Sequence, residues 1–263
     1  MKNIDYTDEF LQRRKERQRK ARKRRLVGWF IFIMILLLLV GVILSLTVFF
    51  PINKLTFTGS KVYSPFQIAD ASGIDMGDNL FAISKEKTLI KLKEKLPFIE
   101  TVKLERAMPD TLKVTVTDAK KYACYEVDGK YYTVSQSGWV LEKTNEPSEN
   151  IFLVKAKGVK CKVGKALEFE SELTAEKINV ISKYLTNENI NIDYINVTND
   201  VNLIVSVENR FEVEFGTDNF LEAKVKHLKT MINTMDESKS GKINLSMWNN
   251  QNRQATFVQN NTK

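Results

Sequence analysis

The sequence predicts a membrane-anchored α+β protein, and three features of its 263 residues predict it. A charge-free apolar run from Leu26 to Phe50 follows a strongly basic amino-terminal stretch and reads as one transmembrane helix. Residues 51–118 then read as strand, helix, helix, strand, strand. Residues 119–258 read as a mainly antiparallel β unit interrupted by two helices.

The run is LVGWFIFIMILLLLVGVILSLTVFF. A hydrocarbon core of about 30 Å needs about 20 apolar residues in helical conformation, so this stretch is long enough to span. A buried core helix rarely carries more than about 14 apolar residues in succession. A cleaved signal peptide has an apolar region of about 7–15 residues and ends at small residues. Here the run ends Val48-Phe49-Phe50-Pro51, so it reads as a retained anchor.

Charge sets the expected orientation. Residues 1–25 hold 11 Lys and Arg against 4 Asp and Glu, whereas residues 51–263 hold 29 against 28. The cluster Arg22, Lys23, Arg24 and Arg25 stands directly before the anchor. Basic residues in that position stay cytoplasmic and attract anionic lipid head groups, so the bulk of the chain is expected outside. Trp29 suits the membrane interface. The nearly neutral outer part has no electrostatic footprint for nucleic acid.

In residues 51–118, Ile52, Leu55 and Phe57 begin a strand that ends at Thr58-Gly59-Ser60. Ser64-Pro65 opens a helix, with Ser as cap and Pro at the first helical position, carrying Phe66, Ile68 and Ala69 as far as Gly73. Ser84 opens a second helix, with Leu89, Leu92 and Leu96 on one face and Pro97 beyond its end. Val102 and Leu104 form a strand, and Leu112, Val114 and Val116 alternate with Lys and Thr in another.

Beyond Ala119, apolar segments at Tyr122–Val127, Tyr131–Val134 and Trp139–Leu141 are separated by Asp128-Gly129 and Ser137-Gly138. Val201 to Val207 and Phe211 to Phe215 alternate around Glu208-Asn209-Arg210, the pattern of a hairpin. Helices are expected over Thr174–Asn187, with Ile178, Ile181 and Leu185 inward, and Asp218–Met235, with Leu221, Val225, Leu228, Ile232 and Met235 inward. A last pair of segments, Ile243–Trp248 and Ala255–Val258, precedes a polar tail, 259–263, expected to be disordered.

Little in the sequence suggests chemistry. Cys124 and Cys161 lie in the expected outer part, where a disulfide is permitted, and their spacing does not choose between a bridge and two thiols. His227 is the only histidine and reads as a surface or boundary residue; no cofactor or metal site is expected. Ser84-x-x-Lys87, Ser148-x-Asn150 and Lys239-Ser240-Gly241 follow the order of a penicillin-binding transpeptidase. Their context differs: Ser148 follows Glu146-Pro147 in a polar loop, the Lys-Ser-Gly triplet lies in a polar turn, and Ser84 is explained as a helix cap. The expectation is a protein that is not an enzyme. Trp139 reads as core.

The order of motifs resembles the FtsQ/DivIB family of bacterial cell-division proteins over nearly the whole chain. The family's POTRA domain has the β-α-α-β-β order read in 51–118. It is similar here at Leu55, Phe57 and Gly59, at Gly77-x-Asn79-Leu80-Phe81, at Leu96-Pro97-Phe98-Ile99, and at Arg106, Pro109, Thr111 and Leu112. Its β domain is similar at Gly138-Trp139-Val140-Leu141, at Phe215-Gly216 with Lys224 and Leu228, and at Ile243-Asn244-Leu245. The chain departs from the family at the junction Asp118–Ala123, which lacks a proline, and at Ser135, where the family has Asp.

The resemblance implies a single-pass scaffold at the division septum, binding DivIC (FtsB-like) and FtsL-type proteins and helping to control septal peptidoglycan synthesis. It also implies that the end of the β domain contacts the DivIC-type partner. The candidate partner-binding residues are therefore Ile243, Leu245, Met247, Trp248 and Phe257, on a last strand able to accept another strand at its edge. Both rings, Trp248 and Phe257, are expected to serve as aromatic partner anchors, the alternative being that they pack in the core of the β domain. The alternative class is another POTRA-bearing exported interaction or secretion-accessory protein; 25 amino-terminal residues are few for the effector domain of a regulator, and no series of amphipathic membrane strands follows.

Overall fold

The computed structural model describes residues 27–42, 50–199, 201–249, 251–252 and 254–260. Residues 27–42 are helical, with large apolar side chains such as Trp29, Phe30 and Leu37 exposed. Among the described residues no helix is long and apolar enough to cross a membrane. Leu26 and 43–49 of the expected span lie outside those residues, as do Arg22, Lys23, Arg24 and Arg25.

The chain divides into two compact units. The smaller comprises the stretch up to Leu55 with Asp75–Ser84 and Arg106–Leu112. Within it the backbone leaving Phe50 is held on two flanks. Ile52 N donates to Asp78 O and Gly77 N to Ile52 O, while Asn53 N and Lys54 N both donate to Asp110 O. Arg106 fixes the 75–84 loop from its side chain, donating from Nε to Leu80 O at 2.8 Å and from Nη2 to Ile83 O at 2.7 Å.

The larger unit comprises Thr56–Ile74, Lys85–Glu105 and the chain from Lys113 onward. After Phe50 the chain's first elements follow the expected order: β1 (Lys54–Thr58), α1 (Pro65–Ser72), α2 (Lys85–Lys95), β2 (Ile99–Ala107) and β3 (Thr111–Asp118), with sheet order β1-β3-β2. Ser64 and Gln67 cap α1 reciprocally, and Gly73 ends it in the left-handed conformation. Ile68 and Ala71 are buried, whereas Phe66 is 82 % exposed. On α2 the buried side chains are Thr88, Leu92 and Lys93, with Leu89 half-buried, as is Leu96 just beyond the helix. Leu112, Val114 and Val116 all point into the core, as their alternation requires.

The remaining strands are β4 (Lys121–Val127), β5 (Lys130–Ser135), β6 (Val140–Thr144), β7 (Phe152–Ala156), β8 (Val159–Lys160), β9 (Glu168–Phe169), β10 (Ile192–Asn199), β11 (Asn202–Val207), β12 (Phe211–Gly216), β13 (Gly241–Asn244) and β14 (Thr256–Gln259). Nine of them form one sheet in the order β14-β13-β12-β11-β10-β7-β4-β5-β6; β8 and β9 pair separately. The sheet is mainly antiparallel, with three parallel joins: β4 to β7, β7 to β10 and β12 to β13. The helices α3 (Glu172–Asn187) and α4 (Leu221–Thr234) lie on the connections that return the chain to a parallel strand, a task no tight turn can perform. Their inward residues, Ile178, Ile181 and Leu185 on α3 and Leu221, Val225, Leu228 and Ile232 on α4, share one core with the sheet.

Asp128 and Gly129 both take positive φ in the two-residue β4–β5 turn, and Glu208 and Asn209 do so in the β11–β12 turn. The face of the sheet away from the core cluster carries polar cross-strand rows at its β10–β13 end. Tyr194, Ser206, Glu212, Lys242 and Val258 stand in register across β10 to β14, as do Asn196, Ile204, Glu214, Asn244 and Thr256. Tyr194 Oη donates to Glu212 at 2.7 Å and Lys242 Nζ pairs with the same carboxylate at 2.8 Å. Asn202 and Asn244 each donate to Glu214 at 2.9 Å.

Candidate partner-binding edge

The carboxy-terminal end of the sheet is built from α4 outward. Lys224 on α4 is 1 % exposed, yet its ammonium is satisfied by Phe215 O at 2.7 Å and Thr217 O at 3.2 Å. Burial pushes its pKa below the ordinary lysine value, opposed by the nearby Asp218 carboxylate. At the end of β12, Gly216 has φ +67°, and a side chain there would strike Ser246. That contact holds the segment after β13 against the end of β12, assisted by Leu245 N donating to Glu214 O.

β13 ends at Asn244, whose Oδ1 accepts from both Ser246 N and Ser246 Oγ and turns the chain. This turn sorts the candidate residues. Ile243 and Leu245 are fully buried and Trp248 is 5 % exposed, all three in the core shared by sheet and helices. The Trp248 ring packs against Phe220 at 6.5 Å and His227 at 6.1 Å between centroids. Met247 is turned outward and is 74 % exposed. Phe257 is half-buried, edge-on to Phe211 at 6.1 Å. Trp248 is thus packed in the core, and Phe257 lies partly against it.

β14 is the outermost strand beside β13. It sits close: a Cβ on Gly241 would lie 2.2 Å from Val258 O and 2.9 Å from the Phe257 ring. The pairing runs through Gln259, which the sequence reading assigned to the tail, and Asn260 N donates to Ser240 O at 2.9 Å. The register aligns Lys242 with Val258 and Asn244 with Thr256, so these pairs fall on the same hydrogen-bonded phase as Ser240 with Asn260. Phe257 and Gln259 consequently turn their backbone N–H and C=O groups away from β13. Val258, 65 % exposed, ends the polar row on the opposite face. Which backbone groups face outward could not be read from the sequence, because it depends on register alone.

The other singled-out residues are placed as follows. Cys124 is buried and Cys161 half-buried, both as thiols; burial pushes both up, Cys161 to about 12 with a contribution from Cys124. Ser148 Oγ is hydrogen-bonded to Thr133 Oγ1, and Lys239 pairs with Asp236. Trp139 is half-buried, with the Lys93 ammonium 4.9 Å from its ring centroid. Among the described residues no three His, Cys, Asp or Glu side chains are grouped to hold a metal.

Comparison with known proteins agrees with this architecture. The POTRA domain, FtsQ-type, matches residues 50–118. A cell division protein DivIB of Clostridium botulinum (strain Hall) is 28% identical over 250 residues, covering 92% of each chain. The cell division protein DivIB of Bacillus subtilis (strain 168) is 25% identical over 245 residues, 91% of this chain and 88% of its own. A cell division protein FtsQ of Streptomyces coelicolor is 26% identical over 87 residues, a third of each chain. With an FtsQ-type POTRA match directly after the apolar run, and likeness to DivIB proteins along both the POTRA domain and the large sheet, the chain is similar to the FtsQ and DivIB bacterial cell-division proteins over most of its length.

Proposed function

We propose that the chain is a non-enzymatic, single-pass scaffold of the division machinery. Its amino terminus is cytoplasmic and its bulk extracytoplasmic at the septum, with the 51–118 and 119–258 domains outside. It binds DivIC (FtsB-like) and FtsL-type proteins and through them helps to control septal peptidoglycan synthesis. The observation that carries the partner reading is the β14 edge, where Phe257 and Gln259 present outward backbone groups beside no neighbouring strand among the described residues. A partner strand laid there gains main-chain hydrogen bonds, and Met247 and Val258 offer exposed apolar contacts near it in sequence. Ile243, Leu245 and Trp248 support the edge from the core rather than touching the partner.

The test uses Gln259→Pro in the full chain. Proline removes the outward N–H of residue 259 and is tolerated on an edge strand. Capture of a DivIC-type protein from detergent-solubilised membranes should weaken roughly tenfold, about 1.4 kcal/mol, with an unchanged melting transition. Undiminished capture by this variant would end the edge reading.

A further inference from the structure

We infer that the anchor-proximal end of the first domain rests in the outer interface of the bilayer, with Met76, Phe81 and Met108 entering the head-group region. The inference rests on the proposal that Leu26–Phe50 spans the membrane, and adds a lipid surface to the partners.

Phe50 closes the charge-free run, and two contacts tie the 75–84 loop to it. Its carbonyl accepts from Leu80 N at 2.9 Å, and its ring meets Phe81 edge-on, 5.2 Å between centroids. The head-group layer is about 5–8 Å deep on each side of the hydrocarbon. A ring this close to the last residue of a spanning run therefore lies within that layer.

The β2–β3 turn reaches the same end. Asn53 and Lys54 bond to Asp110, Thr58 meets Thr115, and Ser60 meets Asp118, so β1 and β3 run in the same direction. Asp110, in the turn before β3, is thus held beside Asn53 and Lys54, three and four residues after Phe50, and the exposed Met108 lies two residues before it. Phe50, the 75–84 loop and the 106–112 turn belong to one compact unit.

Three large apolar side chains are exposed there, Met76 at 65 %, Phe81 at 45 % and Met108 at 59 %, beside the exposed charges Lys54, Asp75 and Arg106. Two of its carboxylates are hydrogen-bonded locally, Asp78 accepting from Asp75 N and Asp110 from Asn53 and Thr111, while the Asp75 side chain is exposed. With Asn79 Oδ1 accepting from Phe81 N and Ala82 N, and Arg106 holding Leu80 and Ile83, the loop is fixed with its apolar tip outward. Apolar side chains on a loop beside a membrane anchor gain by entering the interface what they would lose in water.

The test places an environment-sensitive fluorophore on single cysteines in the full chain, with Cys124→Ala and Cys161→Ala, reconstituted in vesicles containing lipid with a head-group quencher. Met76→Cys and Met108→Cys replace exposed side chains and leave packing intact; Phe81→Cys adds the ring position. Phe66→Cys, at 82 % exposure on α1, is the water reference, and Leu38→Cys the anchor reference. Labels at 76, 81 and 108 should lose most of their emission to the quencher and shift to the blue, while the label at 66 stays bright. Labels at 76 and 108 as bright as that at 66, with the label at 38 blue-shifted, would show a domain held clear of the lipid and overturn the inference. A label at 38 that reports water would remove the anchor, and this inference with it.

Discussion

Lys224 Nζ donates to Phe215 O at 2.7 Å, tying the first turn of α4 to the last residues of β12 through a buried ammonium. The charge compensates two carbonyl oxygens, Phe215 O near the end of β12 and Thr217 O just beyond it.

Removing that donor should be costly although it removes a buried charge. Lys224→Met leaves Phe215 O and Thr217 O without it, and a buried acceptor stripped of its partner costs about 1–3 kcal/mol. Chemical unfolding of the full chain in detergent should show a lower midpoint by that order. A midpoint equal to the parent's would mean that water replaces the ammonium without loss.

Trp248 and Met247 are neighbours with opposite expected behaviour. Trp248→Ala empties a site packed by Phe220 and His227 and should cost about 3–5 kcal/mol, seen as a much lower thermal midpoint. Met247→Ala removes an exposed side chain and should stay within about 0.5 kcal/mol of the parent. Equal midpoints for the two variants would contradict the burial of the indole.

The Glu212 carboxylate is held below the ordinary glutamate value, first by the hydrogen bond from Lys242 and then by that from Tyr194. Its folded pKa lies below its unfolded one, so the stabilisation is full above the unfolded value of about 4.5 and is lost as pH falls through the folded value. The side chain is 39 % exposed, which screens the pair and limits the effect to about 1 kcal/mol or less. Glu212→Gln should therefore lower the unfolding midpoint slightly at pH 7 and not at a pH below the folded value. An equal drop at both would assign the effect to packing.

Local chemistry made much of the fold legible. Ser64-Pro65 announced α1, Asp128-Gly129 announced the β4–β5 turn, and the 3–4 spacing on α3 and α4 announced the buried faces. The strands β7 and β10 were not read. Phe152–Ala156 is too short for a period to show, and Ile192–Asn199 interleaves Asp and Asn with its apolar residues. Parallel pairing is settled between distant segments and leaves no local signature. At the candidate edge, alternation would place Met247 on the side of Ile243 and Leu245. The Asn244–Ser246 turn breaks that alternation, sending Met247 out and Trp248 in.

β7 also governs the order in which the sheet can assemble. It has parallel neighbours on both sides, pairing Phe152 with Ala123 and Leu153 with Tyr194. The β4–β5 and β11–β12 hairpins close over two or three residues, whereas each β7 pairing closes a loop of several tens of residues. Closure entropy rises with that separation, so the hairpins gain their contacts early and β7 gains them late. Until it is seated, β4 and β10 each wait with one flank unfilled, open to a wrong strand. The kinetic hazard in this chain is thus concentrated in the middle of the finished sheet, at five residues between two halves already folded.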